Sequence, residues 1–358
     1  MMTPRENLLH LLRREGYESV PVEFFLCPSL EKSFREQIGG EDSDYMEYFQ
    51  MPWRRVGELL PDDEDRSRFL PYYGGKVGDN VEIDEWGVGH ESTPTSMHMT
   101  KMLHPLEDAE TVEEIQAYPI PVYSREKNEW LKDKVKELHS RGLASVGNMQ
   151  CTIWETAWYI RGMENLMMDM LSDEEMADAM LSMIEKMSTD RALLYAEAGV
   201  DILYLGDDIG MQHSIMMSEE LYVKWLFPRL KRLIGKVKEI RPDIIVFYHS
   251  CGYIEPFIKY LIEAGVDVLN PIQAECMEFK EIYEKYGDQI SFHGTIGTQT
   301  VMPFGTPEEV KENVRGNLDI AGAKGGLFVA PTHLLEPEVP WENILAYVEA
   351  CRTYQKKV

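Results

Sequence analysis

The sequence predicts a (β/α)8 barrel. From residue 143 onward, short apolar runs alternate with amphipathic stretches. The runs are apolar on both faces, as strands of a parallel sheet buried on both sides must be. An alternation of that length suits either an open doubly wound sheet or a closed barrel. No Gly-rich dinucleotide fingerprint follows any run, so the open sheet loses its main support.

Each element has its own signal. Thr3 and Glu6 have capping-box spacing, Pro4 suits the first helical position and Gly16 suits the end, which predicts a helix over 4–15. Leu8, Leu9, Leu11 and Leu12 gather on one face of it, so it reads as a surface helix rather than a secretory leader. "SVPVEFFL" (19–26) is the expected first strand. The stretch 27–142 is rich in Pro, Gly and acids, and its aromatics follow no period; it reads as an irregular insertion or lid on the barrel, with one strand near "VEIDEWGV" (81–88). Six strands follow: "LASVGNM" (143–149), "VDILYLGDD" (200–208), "DIIVFYHS" (243–250), "VDVLNPIQ" (266–273), "ISFHGTIG" (290–297) and "GLFVAP" (326–331). Helical stretches cover about 153–170, 173–198, 218–239, 254–264, 278–286, 307–322 and 341–355. Ser172 and Thr306-Pro307-Glu308 mark helix starts, and Gly199 and Gly265 mark ends. No internal repeat or low-complexity segment interrupts the pattern, so 1–358 reads as one domain.

Composition narrows the class. No window of about 18 apolar residues occurs, so no membrane span is expected. The net charge of −26 repels phosphate backbones, which argues against nucleic acid as a partner. The five cysteines (Cys27, Cys151, Cys251, Cys276 and Cys351) are odd in number and scattered. They form no disulfide framework, and a reducing cytoplasm is the natural compartment. The 21 methionines concentrate in "MENLMMDMLSDEEMADAMLSMIEKM" (163–187) at helical spacing, which marks core filler.

In a barrel, function collects where strands end. The predicted ends hold Asn148 to Cys151, Asp207-Asp208, His249 and Cys251, Gln273 to Cys276, His293 and His333. His249 and Cys251, two residues apart, can share one ion, and an imidazole with a thiolate suits Zn²⁺. Alone, a cysteine at a strand end is more often a small buried hydrophobe. On a common rim a third ligand can come from another strand. His333 is the first candidate and Cys276 the second. His293 reads as a satisfied core histidine, and His213 as a solvated loop residue. His90, His98 and His104 lie in the inserted stretch and could cap the site. Neighbouring residues of a strand point opposite ways, so one of Asp207 and Asp208 is expected in the site as a general acid or supporting group, and the other in the structure. Gln212 follows at loop spacing as a further catalytic candidate. Glu23, Met149 and Gln273 are expected to meet substrate. Trp154, Trp158 and Tyr159 open the next helix and read as packing against the barrel.

Three longer segments, "HSCGYIEPFIKYLIEAGVDVLNPIQ", "FHGTIGTQTVMPFGTPEEV" and "GGLFVAPTHLLEPEVPWENILAY", resemble the uroporphyrinogen decarboxylase superfamily. "LYLGDDIGMQHSIMMSEELYVKWLFPRLKRLI" is similar to it as well. The resemblance covers about residue 140 to the end and implies a (β/α)8 barrel. The decarboxylases of that superfamily work without metal and carry an Arg-Gln-Ala-Gly-Arg-Tyr segment that holds an acidic substrate. The corresponding region here, "VPVEFFLCPSLEKSF", has neither arginine. A polycarboxylate without that clamp is a poor match to a chain at −26.

The other branch of the superfamily contains zinc-dependent, corrinoid-linked methyltransferases with His-x-Cys at the strand end held here by His249 and Cys251. Their third ligand is a Cys in a Pro-Gly-Cys segment, and His333 falls at that position. The resemblance therefore implies a zinc site of His249, Cys251 and His333, with Cys276 in reserve. It also implies a small methyl donor and a corrinoid carried by a partner protein. Such a ligand set holds one thiolate and leaves the site at +1 unless Asp208 or Glu23 joins. A more positive zinc suits an oxygen leaving group, as in demethylation of a methoxylated aromatic. The alternative is a metal-free decarboxylase of an acidic substrate. A third class is a zinc- or corrinoid-binding accessory protein. The sequence leaves room for a homodimer.

Overall fold

A computed structural model describes residues 2–91 and 101–356. Among the described residues, ten strands form two sheets. The large one is parallel and holds seven strands in the order β1 (Trp53–Arg55), β5 (Ala144–Gln150), β6 (Ile202–Gly206), β7 (Ile245–His249), β8 (Val268–Asn270), β9 (Ser291–His293) and β10 (Leu327–Phe328). The small one is antiparallel and joins β2 (Val81–Ile83), β3 (Gly89–Glu91) and β4 (Lys101–Leu103).

The large sheet is curled. Flat, its two edges would stand about 29 Å apart, six steps of ~4.8 Å. Instead the Trp53 ring on one edge lies 5.4 Å from Phe328 on the other. Trp53 also meets Phe247 and His293 at 5.5 and 5.4 Å, so these rings fill the inside of the curl. Tyr204 stacks on its registered partner Phe247 at 5.4 Å in the same layer. This is a TIM-barrel-type α/β arrangement, with an aromatic plug beneath the strand ends.

The strand expected over 19–26 does not form. Only Leu26 makes an isolated bridge, to Leu335. The Tyr347 hydroxyl takes the ladder's place. It accepts from the Glu23 amide at 3.2 Å and lies 3.0 Å from the carbonyl oxygens of both Glu23 and Val329. A side chain inserted there, together with Pro21 and its missing N–H, prevents a regular pairing pattern.

The 27–142 stretch divides. Trp53–Arg55 belongs to the large sheet and pairs in register with Ala144–Val146, so the stretch is not wholly an insertion. The β2–β4 sheet carries the strand expected near 81–88, shortened to 81–83. His98 lies outside the described residues.

Helices follow the predicted stretches closely. The first, Pro4–Leu12, has the capping box, with Thr3 and Glu6 bonding reciprocally. The stretch 153–170 breaks at Gly162 into Trp154–Arg161 and Met163–Ser172. Met170, Met176, Met180 and Met187 are buried, whereas Met168 is exposed. Among the described residues, no helix is long and apolar enough to cross a membrane.

Candidate metal centre

β7 delivers His249 at its last position, and the chain then turns so that Cys251 faces the same space. Cys251 Sγ lies 3.5 Å from His249 Nε2, and Asp208 Oδ1 lies 3.7 Å from the same nitrogen. One potential ligand atom from each of the three residues falls within 4.8 Å of the others. The backbone holds this shape. The Cys251 amide donates to Asp208 Oδ1 at 2.8 Å, and the Gly252 amide to Gln273 Oε1 at 2.8 Å. Two glycines permit the approach. A Cβ on Gly206 would stand 2.6 Å from His249 Cβ, and one on Gly210 would stand 2.7 Å from the Cys251 carbonyl oxygen.

A polar chain fixes the His249 tautomer. The Asn270 amide nitrogen faces the His293 carbonyl at 3.3 Å, and a carbonyl can only accept. Asn270 Oδ1 therefore faces His249 Nδ1 at 2.6 Å and must accept its proton. Tyr204 donates to the same oxygen at 2.6 Å. His249 Nε2 is left with a free lone pair directed at Cys251 and Asp208. Burial lowers the His249 pKa from 6.5, against the pull of Asp208 and Asn270, which favours the neutral ligand form. The relay continues inward: Asn270 donates to His293 Nδ1 at 2.5 Å, and His293 Nε2 meets Glu23 Oε2 at 3.1 Å.

The Cys251 thiol is pushed well above 9 by burial, and then by the charges of Asp208 and Glu155. Two acids, Asp208 and Glu155, stand beside it. Burial, reinforced by the charges of Asp208 and Asp207, raises Glu155 to about 8. Glu155 accepts from the Asp208 amide at 3.1 Å and from the Tyr159 hydroxyl at 2.9 Å. A site that resists negative charge yet gathers thiol and carboxylates is one where a divalent cation restores balance.

The centre opens into two lobes. The outer, about 560 Å³, is lined by Cys251, Gln273, Gln299 and Phe304 among others. The inner, about 270 Å³, is lined by His249, Glu23, Arg55, Gln150 and His293 among others. Thr332, His333 and Leu334 border both.

The sequence candidates distribute unevenly. His249, Cys251 and Asp208 come together. His333 does not join them: its side chain is exposed on the ledge between the lobes. Cys276 is half-buried outside the cluster. Asp207 is structural, accepting from the Ile153 and Glu155 amides at 3.1 and 2.9 Å at the start of the helix Trp154–Arg161. Glu23 and Gln273 line the lobes, and Gln212 lies exposed at the outer rim, 3.3 Å from Gln299. Met149 lines neither lobe. It is buried on the opposite face of β5, because period-two alternation turns its neighbour Gln150 inward. His90 pairs with Asp84 and His104 with the Tyr159 carbonyl, so neither caps the site. Asn270 and Glu155 were missed. Asn270 stood inside the strand expected over 266–273, which in the structure already ends at Asn270, and a lone Asn before Pro reads as a turn. Glu155 stood in "TIWETAW", where the aromatics carried the stronger signal.

Comparison with known proteins places the chain in a family and supports its fold. The uroporphyrinogen decarboxylase (URO-D) family model matches residues 103–354. A methylated-thiol–coenzyme M methyltransferase of Methanosarcina mazei is 28% identical over 230 residues, 61% of this chain and 56% of that protein. A uroporphyrinogen decarboxylase of Rickettsia africae is 28% identical over 184 residues, 51% of this chain and 50% of that one. The chain thus spans about half the length of the curated relatives it matches. A solved methyltransferase from Methanosarcina mazei superimposes with a TM-score of 0.67 over 98% of each chain at 17% identity, a likeness of fold. The chain belongs to the uroporphyrinogen decarboxylase family.

Proposed function

We propose that this protein is a cytoplasmic zinc-dependent methyltransferase that moves a methyl group between a small methyl donor and the corrinoid of a partner protein. The observation that carries the proposal is the His249–Cys251–Asp208 cluster, with the His249 lone pair freed toward it. Nitrogen, thiolate sulfur and carboxylate oxygen are all good zinc donors, so the residues present fit the ion. Zinc bound there would supply Lewis acidity to the donor's heteroatom.

The chain's own residues perform the rest. His249 and Cys251 bind, and Asn270 sets the imidazole's orientation. Asp208 serves as the third ligand, with His333 able to reach in from the ledge as the alternative. A carboxylate acting as ligand is a poor general acid, so the leaving group's proton comes from water. The set His249, Cys251 and Asp208 carries two negative charges, which removes the +1 expected of a His/Cys/His site. It still contains one thiolate rather than two, and a carboxylate donates less electron density than sulfur. A methoxylated donor therefore stays ahead of a thiol. The corrinoid protein would dock over the outer lobe of a monomer or homodimer.

The second reading is metal-free decarboxylation, which the Rickettsia africae relative favours by its equal identity. Against it, Arg55 is the sole Arg or Lys lining either lobe among the described residues, a poor clamp for a polycarboxylate.

The test is metal content after purification without added metal, in wild type, Cys251→Ala, Asp208→Asn and His333→Ala. About one zinc per chain, lost in the first two variants and kept in the third, supports the proposal, and methyl transfer to free corrinoid is then the assay. Loss in His333→Ala would make that residue the third ligand. No zinc in wild type, even when offered, sinks the reading.

A further inference from the structure

The inner lobe has two polar features at odds with its aromatic lining of Phe24, Phe25 and Tyr204. The first is Glu23. It is 1% exposed, its Oε2 meets His293, and its Oε1 has no hydrogen-bond partner. A buried carboxylate oxygen without a donor is costly. The neighbouring donors are already used: His293 Nε2–H on Oε2, and the Asn270 amide on His293. The second is Arg55. Its guanidinium lies over the Phe25 ring at 5.1 Å and forms no ion pair among the described residues. Among the described residues, no other Arg or Lys lines either lobe. In a chain at −26, an arginine kept free of 62 acidic residues at a cavity mouth is set against the prevailing charge.

We infer that the inner lobe takes a single-ring compound bearing one anionic group, held by Arg55, and one hydroxyl or ammonium donor, accepted by Glu23 Oε1. A volume of about 270 Å³ lies just under the ordinary range for ligand cavities, which limits the occupant to one ring. Arg presents a planar fork to a carboxylate, and Phe25 behind it keeps that fork oriented. Glu23 Oε1 accepts a proton-bearing group and repels an ether or a second carboxylate, so the compound enters in one direction. His249 lines the same lobe. That this compound is the methyl donor rests on the function proposed above; its binding does not.

The probes are 4-hydroxybenzoate, benzoate, phenol and anisole, titrated by calorimetry or ligand-observed NMR. A hydrogen bond to a charged group is worth about a factor of ten. Wild type should bind 4-hydroxybenzoate about tenfold tighter than benzoate or phenol, and phenol tighter than anisole. Arg55→Gln should weaken both carboxylates by about tenfold and leave phenol unchanged. Glu23→Gln should weaken 4-hydroxybenzoate and phenol and leave benzoate unchanged. If that buried variant does not fold, phenol against anisole on wild type reads the same contact. Equal affinity for phenol and anisole, as a resident water on Oε1 would produce, overturns the Glu23 half. Benzoate binding untouched by Arg55→Gln overturns the Arg55 half. Discrimination by a chain that holds no zinc keeps the subsite and ends the methyltransferase reading. Zinc without discrimination does the reverse.

Discussion

β6 is flanked by Asp201 on one side and by Asp207 and Asp208 on the other, and Asp201 and Asp208 live in opposite surroundings. Asp201, before the strand, is enclosed. Arg5 grips it with two bonds of 2.9 and 2.7 Å, His139 Nε2 lies at 2.9 Å, and the Ser145 amide donates at 3.0 Å. Asp208, after the strand, accepts one amide bond from Cys251 and otherwise faces His249 and the thiol. At the first end every acceptor is satisfied by the chain. At the second, acceptors, a lone pair and a thiol converge with no cation among the described residues to balance them. The contrast separates stability from chemistry along a single strand, as barrel folds commonly do.

The contrast can be broken from either end. Asp201→Ala should have the largest effect on stability, about 3 kcal/mol by urea denaturation, because it strands Arg5 and His139, while zinc content is unchanged. Gly206→Ala should cost about 1–3 kcal/mol and also displace His249, so both stability and metal are lost. Asn270→Ala should weaken zinc by about 10–100-fold in a competition titration, because the imidazole loses its fixed tautomer.

An acid titration sharpens the comparison. The hydrogen bonds and charge of Arg5, with the Ser145 amide, hold Asp201 below its ordinary 3.8 despite burial. The unfolded chain then binds the proton more readily than the folded one. That stability is fully present above about 3.8 and is lost as pH falls through the lower folded value. Asp201→Asn should flatten this acid limb of the stability profile. Gln212→Ala, at the outer rim, should be the smallest change, within about 0.5 kcal/mol and with zinc retained.

Local signals were legible wherever the chemistry was local. The capping box at Thr3, the helix starts at Ser172 and Thr306, and six of the seven large-sheet strands follow from neighbours a few residues apart. Trp53–Arg55 was not legible, since three residues carry no period and their pairing partner lies about 90 residues away in β5. The run at 19–26 had strand composition, but a tyrosine from the helix Trp341–Thr353 occupies its ladder.

By itself the sequence determined the βα alternation, the strand ends where chemistry gathers, and the His249–Cys251 pair, because periodicity and spacing are properties of the chain. Only the tertiary structure decided that Asp208 stands with them while His333 stays on the ledge, that Asn270 sets the imidazole, and that Glu23 and Arg55 share one small cavity. Those relations join strands dozens to hundreds of residues apart, and distance across a curled sheet depends on strand order and loop course rather than on sequence separation.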